Sequence, residues 1–190
     1  SLRLLAAVGV VTWIGLGLTP PVLSMDVFSY LAHGHQLSRG INPYAVETRT
    51  VGAEPYGAAL QAWGWLPVHE ASPYGPLWTR YESATFQPAA SIGVQMLWMK
   101  LPVVLAGLAA AGFIWLTLGR LAPEWQAFGT LLYLWNPLVV HEVAGGGHND
   151  ALMLAFCSGG LYLFARRRVG WGTAAICGAA LVKLTALMVA

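Results

Sequence analysis

Charge is what this chain has least of. Of its 190 residues only 9% are Asp, Glu, Lys or Arg, whereas a soluble domain carries about 25%. The net charge is +2, with no basic run interleaved with aromatics. That leaves no electrostatic footprint for nucleic acid, and none is expected as a partner. Cysteine is as scarce. Cys157 and Cys177 each fall inside an apolar run, read as buried inert thiols, and have no zinc or redox spacing. No G-x-S-x-G, no G-x-x-x-x-G-K-[ST] and no internal repeat occurs. His141 and Glu142 open an H-E-x-x-H pattern, but Gly145 stands in its fifth position, so the zinc-protease reading fails on its own motif.

What the chain does have is apolar surface: 57% of residues are hydrophobic, with nine Trp and seven Tyr. This reads as an integral membrane protein with aromatic belts at two interfaces. A membrane span takes about 20 apolar residues as helix. Spans are expected at about 4–23, 92–118, 125–143, 151–165 and 171–190. The fold class expected is all-α, a polytopic membrane helical bundle forming one membrane domain. The chain starts at Ser1 without Met and stops at Ala190 inside an apolar run, and reads as the N-terminal part of a larger protein. The first apolar run is long enough to span and is followed by no A-x-A site, so it is not expected to be a cleavable signal.

Residues 24–90 differ in character. They hold Asp26, Glu47, Glu54, Glu70 and Glu82, three histidines, and prolines and glycines that mark turns. Amphipathic helices near 26–38 and 56–66 are expected there, lying along the membrane surface. Arg3, Arg120 and Arg166–Arg168 fall in loops that alternating spans would put on one side, the cytoplasmic one. The long loop 24–90 and the turn "HEVAGGGHND" then share the external face.

Three polar groups converge on that face. A helix starting after Ser24 brings Asp26, Tyr30 and His33 to one side at i, i+4 and i+7. Asp26 is either an acid favoured by the helix dipole or a carboxylate set to take a proton from a hydroxyl. The second group is His148, Asn149 and Asp150, after three glycines and Glu142. Either Asn149 or Asp150 caps the next helix, or the turn cradles a phosphate with His148 as a further donor. The third is Lys100 and Lys183, charges inside apolar runs. Each either snorkels to the interface or binds an anion. No motif calls for a cofactor, and a divalent metal is left open.

The order "SMDVFSYLAHGHQLSRGINPY", "SPYGPLW", "KLPVVLAGL", "LWNPLVVHEVAGGGHNDALM" and "ALVKLTAL" resembles the bacterial polyprenol-phosphate-mannose-dependent α-1,6-mannosyltransferases. These are membrane-embedded glycosyltransferases of the GT-C class. The resemblance covers nearly the whole chain. It implies a helical membrane enzyme whose long first external loop carries amphipathic helices. It implies an inverting transfer of a sugar, mannose, from a polyprenyl-phosphate donor to a hydroxyl of a glycan or glycolipid acceptor. Asp26 matches the family's proposed catalytic base. The leaving phosphate needs cationic or N–H stabilisation, for which Lys100, Lys183, His148 and Asn149 are the candidates. Tyr30, His33, Tyr44, Tyr74, Glu142 and Asp150 are candidate substrate contacts. Related enzymes carry an acid soon after a lysine–proline pair like Lys100 and Pro102; here Gly107 stands in that region and no acid does. Two other readings have less support. A transporter or flippase would carry polar residues along both halves of its spans or an inverted repeat. A structural subunit would leave Asp26 and His148 unexplained.

Overall fold

A computed structural model of the chain describes every residue except Val22, His69 and Ala190. Val22 and Ala190 belong to the first and fifth expected spans, and His69 to the long loop; these positions lie outside the described residues. Among the described residues the chain is all-helical, with no strand.

The helix α1, Leu2–Gly17, stops well before Leu23. Thr19 and Pro20 each precede a proline, which disfavours the α conformation. The helices α2 (Asp26–Ser38), α3 (Pro55–Ala62) and α4 (Pro76–Thr85) build the long loop, with a 3₁₀ turn at Thr48–Ala53. The helix α5, Ile92–Leu121, has 30 residues and a mean hydropathy of 2.1 in its most apolar stretch. It is the one described helix long and apolar enough to cross a membrane. Ser91 Oγ caps its start by accepting from the Val94 N–H, and Arg120 sits in its last turn, where the helix dipole favours a cation.

The segment expected as a span at 125–143 is instead broken. The helix α6 covers only Gln126–Leu134. Asn136 is extended ahead of Pro137, and its side chain accepts from the N–H groups of Leu138 and Val139. That cap starts a short α-turn, α7 (Pro137–Val139), which runs into a π-helical turn at Val140–Gly145. The helices α8 (Asp150–Ala165) and α9 (Val169–Val182) follow. The chain is extended at Lys183 and ends in a 3₁₀ turn, Leu184–Val189, so the expected span at 171–190 is not one continuous α-helix.

Neighbouring side chains give the helix directions. Leu2, Arg3 and Ala6 share a cavity wall with Ala111, Gly112 and Trp115, while Gly17 faces Val104; α1 therefore runs antiparallel to α5. Along α5 and α8 the order is shared: Pro102 and Leu152 lie at one end of a common groove, Phe113 and Tyr162 at the other. In α9, Gly178 faces Phe156 and Gly172 faces Phe164, so it returns antiparallel. Arg3, Arg120 and Arg166–Arg168 thus gather at one end of the bundle, and Asp26, Glu142 and Asp150 at the other.

The long loop packs on that second end as a folded cap. In α2 every residue from Val27 to Gly34 is buried, so this helix is enclosed on all sides and does not present a free amphipathic face. Trp65 Nε1 donates to Ser29 Oγ at 3.3 Å, and the Tyr56 hydroxyl donates to Gln95 Oε1 at 2.8 Å. The Gly75 N–H donates to the Val182 carbonyl at 2.8 Å. A Cβ at Gly75 would collide with the Leu181 carbonyl, so only glycine lets the cap sit this close to the end of α9.

Candidate active site

Asp26 stands in the first turn of α2, its N–H donating to Ser24 Oγ at 3.2 Å. Ser24 therefore bonds near the helix start, although Met25 holds the cap position. Three groups converge on Asp26 Oδ2, one from its own helix and two from distant parts of the chain. The Tyr74 hydroxyl donates to it at 3.0 Å, the Tyr30 hydroxyl at 3.5 Å, and His148 Nδ1 lies 3.2 Å away. Burial, followed by the Asp26 charge, raises the Tyr74 phenol above its ordinary range. Burial, with Tyr74 and Asp26 nearby, does the same for Tyr30. Both phenols stay protonated and act as hydrogen-bond donors. Tyr30 packs edge-on against Tyr74 and Trp78 at 5.1 and 4.9 Å, which holds its hydroxyl between Asp26 and the Asn149 N–H that donates to it at 3.2 Å.

His148 lies between two carboxylates. Its Nε2 is 2.9 Å from Glu142 Oε2. That approach is out of line for a hydrogen bond, so the pair is an electrostatic contact. The hydrogen bond to Asp26 raises the His148 pKa, burial opposes it, and the charges of Asp26, Glu142 and Asp150 raise it further. His148 is therefore biased towards the imidazolium.

The glycine turn differs from the expected phosphate cradle. The N–H of Gly146 donates to the His141 carbonyl at 2.6 Å, Gly147 to Val143 at 2.9 Å, and His148 to Glu142 at 3.2 Å. These donors are consumed in closing the π-helical turn, a conformation frequent at functional sites. Gly147 adopts φ +75°, and a Cβ there would meet Val27 and the Lys100 stem. The glycines therefore serve close packing under α2. Asn149 caps α8 without a side-chain bond, and its amide is fully buried with neither atom hydrogen-bonded to protein.

Lys100 also differs. It is fully buried, and its ammonium donates to the carbonyls of Leu16, Thr19 and Gly145 at 3.1, 2.6 and 2.8 Å. All three N–H donors are spent on backbone at the end of α1 and in the π-helical turn. It acts here as a structural tie, with no donor left for a phosphate. Lys183 pairs with Asp150 through Nζ–Oδ1 and Nζ–Oδ2 distances of 3.0 and 2.8 Å. That pair is part-exposed, and Asp150 stands two residues after His148, so the Lys183 ammonium is the cation best placed to exchange one carboxylate for another anion.

His33 points away from Asp26, into a buried chain with Glu82 and Thr48. Its Nδ1 is 3.1 Å from Glu82 Oε1 and its Nε2 is 2.9 Å from Thr48 Oγ1. This ties α2 to α4 and to the 3₁₀ turn. Burial raises the Glu82 carboxyl, with the His33 hydrogen bond opposing it. Sequence pattern carried no signal for Glu82 or Thr48. Tyr44 is half-exposed and donates to Thr79 Oγ1 at 2.8 Å, on α4. Among the described residues no three His, Cys, Asp or Glu side chains are grouped so as to hold a metal ion.

A sequence profile described as "Alpha-(1->6)-mannopyranosyltransferase, N-terminal domain" matches residues 1–190. The chain is 31% identical over 173 residues to alpha-(1->6)-mannopyranosyltransferase A of Corynebacterium glutamicum, covering 87% of this chain and 33% of the relative. It is 33% identical over 186 residues to alpha-(1->6)-mannopyranosyltransferase A of Mycobacterium tuberculosis, covering 93% and 34%. It is 31% identical over 157 residues to alpha-(1->6)-mannopyranosyltransferase B of Corynebacterium glutamicum, covering 78% and 25%. The chain thus spans about a third of the length of the first two relatives. No solved structure matches it significantly.

Proposed function

Since the chain belongs to the alpha-(1->6)-mannopyranosyltransferase family and corresponds to its N-terminal domain, we propose that it is the base-bearing part of a membrane-embedded inverting mannosyltransferase. The donor is mannose on a polyprenyl phosphate. The acceptor is a hydroxyl of a glycan or glycolipid on the external face. The observation that carries this reading is the convergence of Tyr74, Tyr30 and His148 on the carboxylate of Asp26.

The chemistry follows from that carboxylate. The acceptor hydroxyl gives its proton to Asp26 as its oxygen attacks the anomeric carbon. The bond from that carbon to the phosphate oxygen breaks on the opposite face, and its electron pair leaves with the polyprenyl phosphate. The phenols and the imidazole hold the carboxylate so that no reorganisation is needed during transfer. Lys183 is the proposed contact for the leaving phosphate.

A polytopic bundle is supported by α5 and by the apolar residues left outward on its neighbours, such as Val11, Leu161 and Leu181. At about 1.5 Å per residue, helices of the length of α1, α8 and α9 reach about 21–24 Å. A hydrocarbon core is about 30 Å thick. Each therefore needs its flanking turns to complete a crossing. The external face is proposed from the gathering of Arg3, Arg120 and Arg166–Arg168 at the opposite end. Labelling of single cysteines with an impermeant reagent on intact cells tests it: position 50 should label and position 167 should not.

The activity is tested with full-length protein in membranes and radiolabelled polyprenyl-phosphate-mannose. Labelled product should form, and Asp26→Asn should lower transfer by about 10²–10⁴ while donor binding persists. Near-normal turnover per folded Asp26→Asn molecule would remove Asp26 as the base.

A further inference from the structure

Glu142 has no role in the transfer as written, yet its carboxylate lies 2.9 Å from His148 Nε2 on the side of the ring away from Asp26. The ring is thus flanked by a carboxylate at each nitrogen, from two separate elements, α2 and the π-helical turn. A neutral imidazole has a proton for only one of its nitrogens. The other would then present a lone pair to an anion. Protonation at both removes that repulsion and gives each carboxylate a cationic neighbour.

We propose that Glu142 is a positioning residue: it keeps His148 doubly protonated beside Asp26, so that the site holds a cation where an anionic, phosphate-borne donor arrives. This rests on the reading of the chain as a transferase with Asp26 as its base. The site has an excess of negative groups without it. Asp26 faces His148 from α2, and Glu142 and Asp150 flank it in its own segment; the neutral phenols of Tyr30 and Tyr74 donate to the same Asp26 oxygen. Lys183, after α9, is held by Asp150. Lys100, from α5, lays its stem beside Gly147 but turns its ammonium to backbone carbonyls. Lys183 thus meets Asp150 and Lys100 meets backbone, whereas His148 lies against Asp26 itself. Glu142 is 34% exposed, so its carboxylate reaches water as well as the ring.

The position of Glu142 follows from the π-helical turn. The wider turn brings the Glu142 carbonyl to the His148 N–H, at 3.2 Å, and so folds the two side chains back towards each other. Gly147, in its left-handed conformation, makes that reversal possible.

The test is the pH dependence of kcat/KM for radiolabelled polyprenyl-phosphate-mannose, using the full-length protein in membranes. Wild type should lose activity along an alkaline limb as His148 deprotonates, mainly through a rising KM for the donor. Glu142→Gln should move that limb down by about one pH unit, the usual effect of losing one close opposite charge. His148→Gln should have no such limb. A Glu142→Gln limb that coincides with wild type would overturn the inference, and so would a limb that persists in His148→Gln. The second variant decides the question even where Glu142→Gln fails to accumulate. Either result with Asp26→Asn inactive leaves the transferase reading standing, whereas an active Asp26→Asn removes that reading itself.

Discussion

The Tyr81 hydroxyl donates to the backbone carbonyl of Trp98 at 2.5 Å. Four residues on from Trp98 stands Pro102, inside α5. Proline has no N–H, so it leaves the carbonyl one turn earlier without its helical partner. Tyr81, from α4, fills that vacancy and ties the cap to the spanning helix. Tyr81→Phe should destabilise the folded protein by about 1–3 kcal/mol, the cost of an unsatisfied carbonyl. Pro102→Ala restores an amide at the right place, so it should recover much of the loss in the Tyr81→Phe background. Thermal unfolding of the four proteins in a double-mutant cycle checks this; strictly additive effects would mean the two residues are not coupled.

Lys100→Met should give little folded protein. Three carbonyls lose their donor at once, each worth about 1 kcal/mol or more, and α1 loses its tie to the π-helical turn. Lys100→Arg should rescue poorly, because a planar guanidinium does not converge on three oxygens as an ammonium does. Yield and thermal stability in detergent are the measurements. A well-folded Lys100→Met protein that differs only in donor KM would return Lys100 to the phosphate site.

Tyr74→Phe should fold normally and lower kcat about tenfold, in line with losing one hydrogen bond to a charged group. Donor KM should change less, because Tyr74 touches the proposed base and not the donor. Steady-state kinetics separate the two. A change confined to KM would put Tyr74 in substrate binding.

The stability contributed by His148 should depend on pH with a defined sign. Its folded-state pKa is raised above the ordinary 6.5, first by the hydrogen bond to Asp26. A raised value in the folded state means that protons bind the folded form more tightly. The contribution is therefore complete below 6.5 and is lost as pH rises through the folded-state value. The Tm difference between wild type and His148→Asn should be largest on the acidic side and shrink on the alkaline side. A difference that grows with pH would mean that His148 is held neutral.

Local signals were legible in the sequence and the structure keeps them. The helix from Asp26, the long apolar helix from Ile92 and the break at Asn136–Pro137 depend on caps, prolines and unbroken apolar runs, which act within a few residues of themselves. The first two were read correctly. The third falls inside an apolar run, and that run alone predicts a span over 125–143. The gathering of Arg3, Arg120 and Arg166–Arg168 at the end away from Asp26, Glu142 and Asp150 was also readable, because it needs only the alternation of helices. Partnership was not. Whether the Lys100 ammonium meets a phosphate or three carbonyls, and whether His33 faces Asp26 or Glu82, depends on which distant backbone is folded against it. The glycine turn is the clearest case. Three glycines before a helix read as free N–H groups, but in the fold those groups close a π-helical turn that brings Glu142 and His148 together. Sequence determines which donors and acceptors a segment carries; only the tertiary structure decides which of them are already spent, because each buried group must find its partner wherever the chain brings one within about 3 Å.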